Sequence, residues 1–483
     1  MPTNPTRRSF TSGAALSATA LALPIGGKAK ANPTRPNTDS PSAVDVVVVG
    51  GGLAGLTAAR RLRTSGLSVL ALEAKDRIGG RVESVRLPNG IVGDLGAQWI
   101  RPDQTFARDL ASEARAALHE TSHTGTKLAV LDGEARDVGA DGLPMGPLSS
   151  LDAWRVTSKL ERLSRLGGDL PERWRAATVD DFLRSVTWSE RGRRLMDFAL
   201  RNDLCLPTDS VALHHLVQQL STMGGARAAL QGGEGEIVTH GATSLVRHLA
   251  KGLPNAIMTD TPVAAIEQDI RSVRVHHRRG TVVAEHVVLA IPPQLYADIA
   301  FDPLPPDDKV AFWAGHMPGE VIKTLIAYDE PWWRDRGLSG TLIGPDEAFP
   351  FICDSGGSEG GGLLVGLSTA GAAAKLRRHP ELRTPDGFKR WLSAVTGSDV
   401  PTPVAVVSRD WGGDPYQRGG YASLRPMGAW PDEPFAAFGR MHFAGTETAS
   451  SWQSYMSGAV QSGERAAFEV LSAATAKLAR QTD

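Results

Sequence analysis

The chain has 483 residues, enough for two or three domain-sized units with an ample core. Its composition, 41% apolar and 22% charged, is that of an ordinary globular protein. A net charge of −1 with both signs interspersed leaves no basic stripe for nucleic acid or an anionic lipid surface. Two cysteines exclude a disulfide framework and a cysteine-based zinc site, and the histidine pairs at 214–215 and 276–277 lack metal-ligand spacing, so no metal is expected.

In chain order, residues 1–31 read as a leader. Arg7-Arg8 precedes an Ala/Leu/Ser/Thr-rich stretch and an Ala29-Lys30-Ala31 cleavage pattern, so a twin-arginine signal and a periplasmic or secreted location are expected. That stretch is too short and too polar for a stable membrane span. Residues 32–43 read as a linker.

Val44 to Leu62, VDVVVVGGGLAGLTAARRL, predicts a buried strand, a glycine turn and a helix. Gly50, Gly52 and Gly55 have the G-x-G-x-x-G spacing that lets backbone approach a pyrophosphate at a helix N-terminus. A second apolar run, Leu67 to Leu72, ends at Glu73, placed to accept hydrogen bonds from a ribose. Glycine-marked turns follow at Gly79-Gly80-Arg81 and Gly93 to Trp99, where backbone comes close to a large ligand, and Arg81 suits a pyrophosphate as a bidentate cation.

From Ser122 to Glu236 the spacing predicts helices, with leucine stripes through Leu160, Leu163 and Leu166 and through Val211, Leu213, Leu216 and Leu220. Strand-like runs return at Val263 to Ile266, Val273 to Val275 and Val287 to Ala290, and Ile291-Pro292-Pro293 closes that segment. Mixed strands and helices follow to Asp410. The last segment combines a strand at Met441 to Ala444 with a helix beginning near Met456.

Together these residues resemble the flavin-containing monoamine oxidase family. The strongest similarity is Gly439-Arg440-Met441-His442-Phe443-Ala444-Gly445-Thr446-Glu447-Thr448-Ala449, followed by Trp452, Tyr455-Met456 and Gly458 to Gly463. The resemblance implies an α/β, two-domain fold: an FAD-binding domain from residues 44–121, 237–303 and 411–474, interleaved with a substrate-binding domain from 122–236 and 304–410. It implies FAD contacts at Gly50, Gly52, Gly55, Glu73, Ala74, Gly80, Arg81, Gly96, Ala97, Gln98, Val263, Trp411, Glu447, Tyr455 and Met456. The activity it implies is oxidation of an amine, with dioxygen as the acceptor and hydrogen peroxide as a product. Lys323 matches a family lysine near flavin N5, and Tyr421 and Tyr455 match two aromatic positions that flank the substrate amine.

Two departures qualify the resemblance. Members that attach FAD covalently use a cysteine just before the first of these tyrosines; here that residue is Gly420, so FAD is expected to be non-covalent. Arg101 stands where relatives carry a smaller residue. A structural role is the expectation for it, and pairing with a substrate carboxylate would turn the reading toward an L-amino-acid oxidase. A desaturase or dehydrogenase using another acceptor is the remaining alternative. The sequence leaves the oligomeric state open, a homodimer among the options.

Overall fold

The computed structural model describes residues 42–482, apart from 122–123, 139–144, 167–169, 232–234, 357–359 and 429. The residues expected to form a leader, and most of those expected to form a linker, lie outside the described residues. Among the described residues, no helix is long and apolar enough to cross a membrane.

An eight-stranded sheet is organised around the strand Ser42–Val49, whose Val46, Val47 and Val48 are wholly buried because both faces of the sheet are covered. Val69–Leu72 and Ile257–Met258 extend it in parallel on one side, and Gly280–Leu289 pairs in parallel on the other. That long strand serves two neighbours. Its first part pairs antiparallel with Val273–His277, and its end pairs in parallel with Met441–Phe443. The C-terminal helix, Met456–Thr482, packs on the first helix, Leu53–Thr64. The approach is close because a Cβ on Gly463 would stand 2.4 Å from the Ala54 carbonyl oxygen.

The second large sheet has seven strands in the order Ala405–Asp410, Val321–Tyr328, Gly362–Thr369, Phe351–Asp354, Leu338–Ile343, Thr126–Leu131 and Glu134–Asp137. Val321–Tyr328 is buried at every position, since strands flank it on both edges and both its faces are packed. The strands Thr126–Leu131 and Glu134–Asp137 correct the reading of Ser122 to Glu236 as helical throughout. They form an antiparallel hairpin closed by Asp132-Gly133, a turn pair with positive φ at both residues, and the helices begin only at Pro147. Leu160 and Leu163 are core residues as expected, whereas Leu166 lies beyond the helix end at Ser164 and is exposed.

Candidate active site

One cavity runs between the two sheets and encloses about 2380 Å³, open solvent at its mouth included. Its walls run from the glycine turn at Gly50 and Gly52 to Tyr421 and Tyr455. Of the residues expected at the site, all but Gly55 and Glu447 line it.

At the dinucleotide end, Gly50 adopts φ +111°, and a Cβ there would stand 2.5 Å from the Ala290 carbonyl oxygen. Gly52 instead faces open space, its nearest neighbours 3.9 Å from where a Cβ would be, which leaves room for a phosphate at the helix N-terminus. Gly55 lies behind the cradle, where a Cβ would stand 2.0 Å from the Gly50 carbonyl oxygen, and it permits the close strand–helix contact. Glu73 accepts the Gly51 N–H (2.7 Å) and the Lys75 N–H (2.9 Å), one at each carboxylate oxygen, so its orientation is set before any ribose arrives. Burial raises its pKa against those two hydrogen bonds and the Lys75 charge.

Arg81 turns its fork to Glu447, at 2.8 and 3.1 Å, and donates to the Tyr421 carbonyl oxygen at 2.6 Å. Its bidentate partner is therefore a buried carboxylate of the chain itself. Glu447 also accepts the Ser423 N–H (3.1 Å), and despite burial its pKa lies below the ordinary value, held down by Arg81 and these hydrogen bonds. The pair ties the cradle to the strand Gly420–Leu424.

Lys323 is buried, and not on the surface as an ion-pair partner would be. Its Nζ donates to the Gly96 carbonyl oxygen (2.8 Å) and to Gln98 Oε1 (2.7 Å), 5.0 Å from the centre of the Trp99 ring. Burial lowers its pKa to about 8, against the opposing charge of Asp94. Gln98 is fixed in turn by its amide hydrogen bond to Ser355 Oγ. Trp411 donates its indole N–H to the Leu95 carbonyl oxygen (2.9 Å) and packs with Tyr421, Val321 and Cys205.

Tyr421 and Tyr455 both line the cavity, and burial raises both phenol pKa values, so both remain neutral. Tyr455 meets Trp452 edge to face at 5.2 Å between ring centres. The guanidinium of Arg101 lies 4.8 Å from the centre of the same Trp452 ring. Arg101 is buried and donates to the carbonyl oxygens of Ala229 (2.7 Å) and Ala228 (2.6 Å), with Asp103 at 3.4 Å. Its terminal nitrogens hold the short helix Ala226–Gln231.

The sequence reading passed over Asp203, which lines the cavity beside Ala199 and Asn202. These three share one face of the helix Glu190–Leu204 at the i, i+3, i+4 spacing. A signal was present: an acid in the last turn of a helix opposes the helix dipole.

A dinucleotide cradle opening into a second, aromatic-walled chamber is the arrangement of a flavoprotein oxidoreductase. The chain belongs to the flavin containing amine oxidoreductase family, whose sequence profile matches residues 53–471. It is 29% identical to Amine oxidase (flavin-containing) B of Sus scrofa over 89% of this chain and 87% of that one. It is also 29% identical to an L-amino acid dehydrogenase of Synechocystis, over 92% of this chain and 98% of that one. A putrescine oxidase solved with putrescine bound superposes with a TM-score of 0.81 at 25% identity, covering 89% of this chain and 99% of that one. FAD is the cofactor of the family, and the glycine cradle, Glu73 and the walls around Trp411 and Met456 fit it.

Proposed function

We propose that the chain oxidises an amine at the carbon bearing the nitrogen, with dioxygen as the electron acceptor. In balanced form, R–CH2–NH2, dioxygen and water give an aldehyde, ammonia and hydrogen peroxide. The observation that carries this reading is the convergence of Tyr421, Tyr455 and the buried Lys323 on the cavity that the glycine cradle opens into. FAD supplies the two-electron chemistry.

The side chains do the rest. Tyr421 and Tyr455 offer neutral ring faces that hold an ammonium and then align the neutral nitrogen and its α carbon. Lys323, with a pKa lowered by burial to about 8, is divided between its charged and neutral forms near neutral pH and can position a water or stabilise negative charge developing on oxygen.

Amino-acid oxidation is a second reading, motivated by Arg101 on the cavity wall. Its terminal nitrogens are committed to Ala228 and Ala229, which disfavours that reading. Arg7-Arg8 supports export to the periplasm by the twin-arginine route. A peroxide-coupled screen of aromatic, aliphatic, polyamine and amino-acid substrates on purified holoenzyme tests the proposal. Flavin that no amine bleaches anaerobically would refute it.

A further inference from the structure

Asp203 is a carboxylate in an unfavourable place. It sits in the last turn of the helix Glu190–Leu204, where the helix dipole opposes negative charge. It faces the cavity, and no hydrogen bond or ion pair to another described residue satisfies it. Burial pushes its carboxyl up to about 6, with Arg101 pulling the other way. Arg101 acts only at a distance, because its nitrogens are turned to Ala228, Ala229 and Asp103. Asp203 is half-buried with its carboxylate on the cavity wall, and the chain supplies it no partner of its own; such local conflicts mark functional positions.

The neighbours of Asp203 say what it faces. Asp203 shares the cavity lining with Tyr421 and Tyr455, and its charge adds to the burial that raises both phenol pKa values. Asn202, beside it on the cavity wall, has its side-chain oxygen 3.4 Å from Thr369 Oγ1, and the Ala199 methyl completes the helix face. From these positions we infer that Asp203, with Asn202, forms a subsite for a second cationic group, so that the preferred substrate is an amine carrying a distal ammonium. The inference rests on the amine-oxidising reading above. One nitrogen would stand between the tyrosines for oxidation while the other meets the carboxylate, and chain length sets which substrates span the two.

The test compares straight-chain α,ω-diamines with n-alkylamines matched in heavy atoms, following kcat/KM and anaerobic flavin bleaching at about pH 8, where Asp203 is ionised. The parent should prefer at least one diamine over its matched monoamine. In Asp203→Asn that ratio should collapse roughly 10- to 100-fold, the effect of one charge-assisted hydrogen bond, and Asp203→Glu should retain part of it with a different preferred length. An unchanged ratio in Asp203→Asn at normal FAD content, or a parent that favours the monoamine at every length, overturns the subsite but not the amine oxidase. If neither series bleaches the flavin, both readings fall. Should Asp203→Asn not fold, calorimetry on the parent decides: an α,ω-diamine whose nitrogen-bearing carbons carry no hydrogen, and which therefore cannot be oxidised, should bind at least about tenfold tighter than the matching monoamine, and equal affinities overturn the inference.

Discussion

Replacing Lys323 with methionine should change the pH dependence of stability in a direction fixed by the burial of the amine. The folded pKa is about 8 against an ordinary 10.5, a gap corresponding to about 3 kcal/mol. Because the folded value is lowered, the native state releases the proton first. Between about pH 8 and 10.5 the unfolded chain carries one proton more, and stability rises with pH by up to about 1.4 kcal/mol per unit. Below that window both states are charged, and the cost of burying the ammonium is present in full. Urea unfolding of parent and Lys323→Met followed from pH 7 to about pH 9.5 should therefore show the parent gaining roughly 2 kcal/mol on the variant, beside a constant offset from the lost hydrogen bonds to Gly96 and Gln98. A difference that stays flat across this range would refute the reasoning. The same titration should appear in reactivity. Oxidation of the reduced enzyme by dioxygen should slow as pH rises through about 8 in the parent, because the charge opposite the developing anion is lost, and should be slow and nearly pH-independent in the variant.

Acid precipitation should release yellow flavin into the supernatant, since Gly420 offers no thiol. Gly420→Ala should destabilise by roughly 1–3 kcal/mol, because its Cβ would stand 2.0 Å from Val321 Cγ1, and Val321→Ala should relieve that loss in unfolding midpoints. Arg101→Ala should cost roughly 1.5–3 kcal/mol of stability and move KM for all amines together; a loss confined to substrates with a carboxylate would restore the amino-acid reading. Exchanging Arg7 and Arg8 for lysine should trap the protein in the cytoplasm, and enzyme persisting in the periplasm would refute twin-arginine export. Tyr421→Leu and Tyr455→Leu should slow flavin reduction by amine while sparing reoxidation, with Phe better tolerated because a ring face worth ~0.5–2 kcal/mol to a cation remains. Equal reduction rates in parent, Phe and Leu variants would make these tyrosines packing residues only.

What the sequence made legible were the features whose partners are local. The strand–glycine–helix unit depends on a few consecutive residues, and Glu73 needs only the Gly51 and Lys75 backbone to be oriented. The hairpin at 126–137 was not legible, because short strands in a region dominated by helical leucine spacing give too few residues for a period of two to register. The Arg81–Glu447 pair joins residues 366 apart, and no local pattern shows that the bidentate fork is taken by a carboxylate of the chain itself. Asp203 lies in a helix rich in charged residues, Glu190 to Arg201, where one more acid reads as solvated surface; only the fold turns residues 199, 202 and 203 inward.

The backbone around the two tyrosines carries the strain that their placement requires. Of ten non-glycine residues with positive φ among the described residues, four are Tyr421 itself or lie beside one of the tyrosines: Cys205, Tyr421, Trp452 and Ser454. Neither tyrosine nor tryptophan adopts that region readily, at roughly 1–3 kcal/mol each, so the surroundings must hold them there. Tyr421 is held by the Arg81 hydrogen bond to its carbonyl oxygen and by the Glu447 grip on Ser423 two residues on. Trp452 donates its N–H to the Thr222 carbonyl oxygen, and its own carbonyl oxygen would stand 2.2 Å from a Cβ on Gly458, so only glycine permits the C-terminal helix to pass. Tyr421 and Trp452 are therefore positioned by backbone anchored from neighbouring segments, and one of those anchors, Arg81, also lines the dinucleotide cradle. Placement of the Tyr421 ring and the shape of the cofactor cradle thus depend on the same Arg81–Glu447 ion pair, and that wall of the chamber cannot form independently of the cradle.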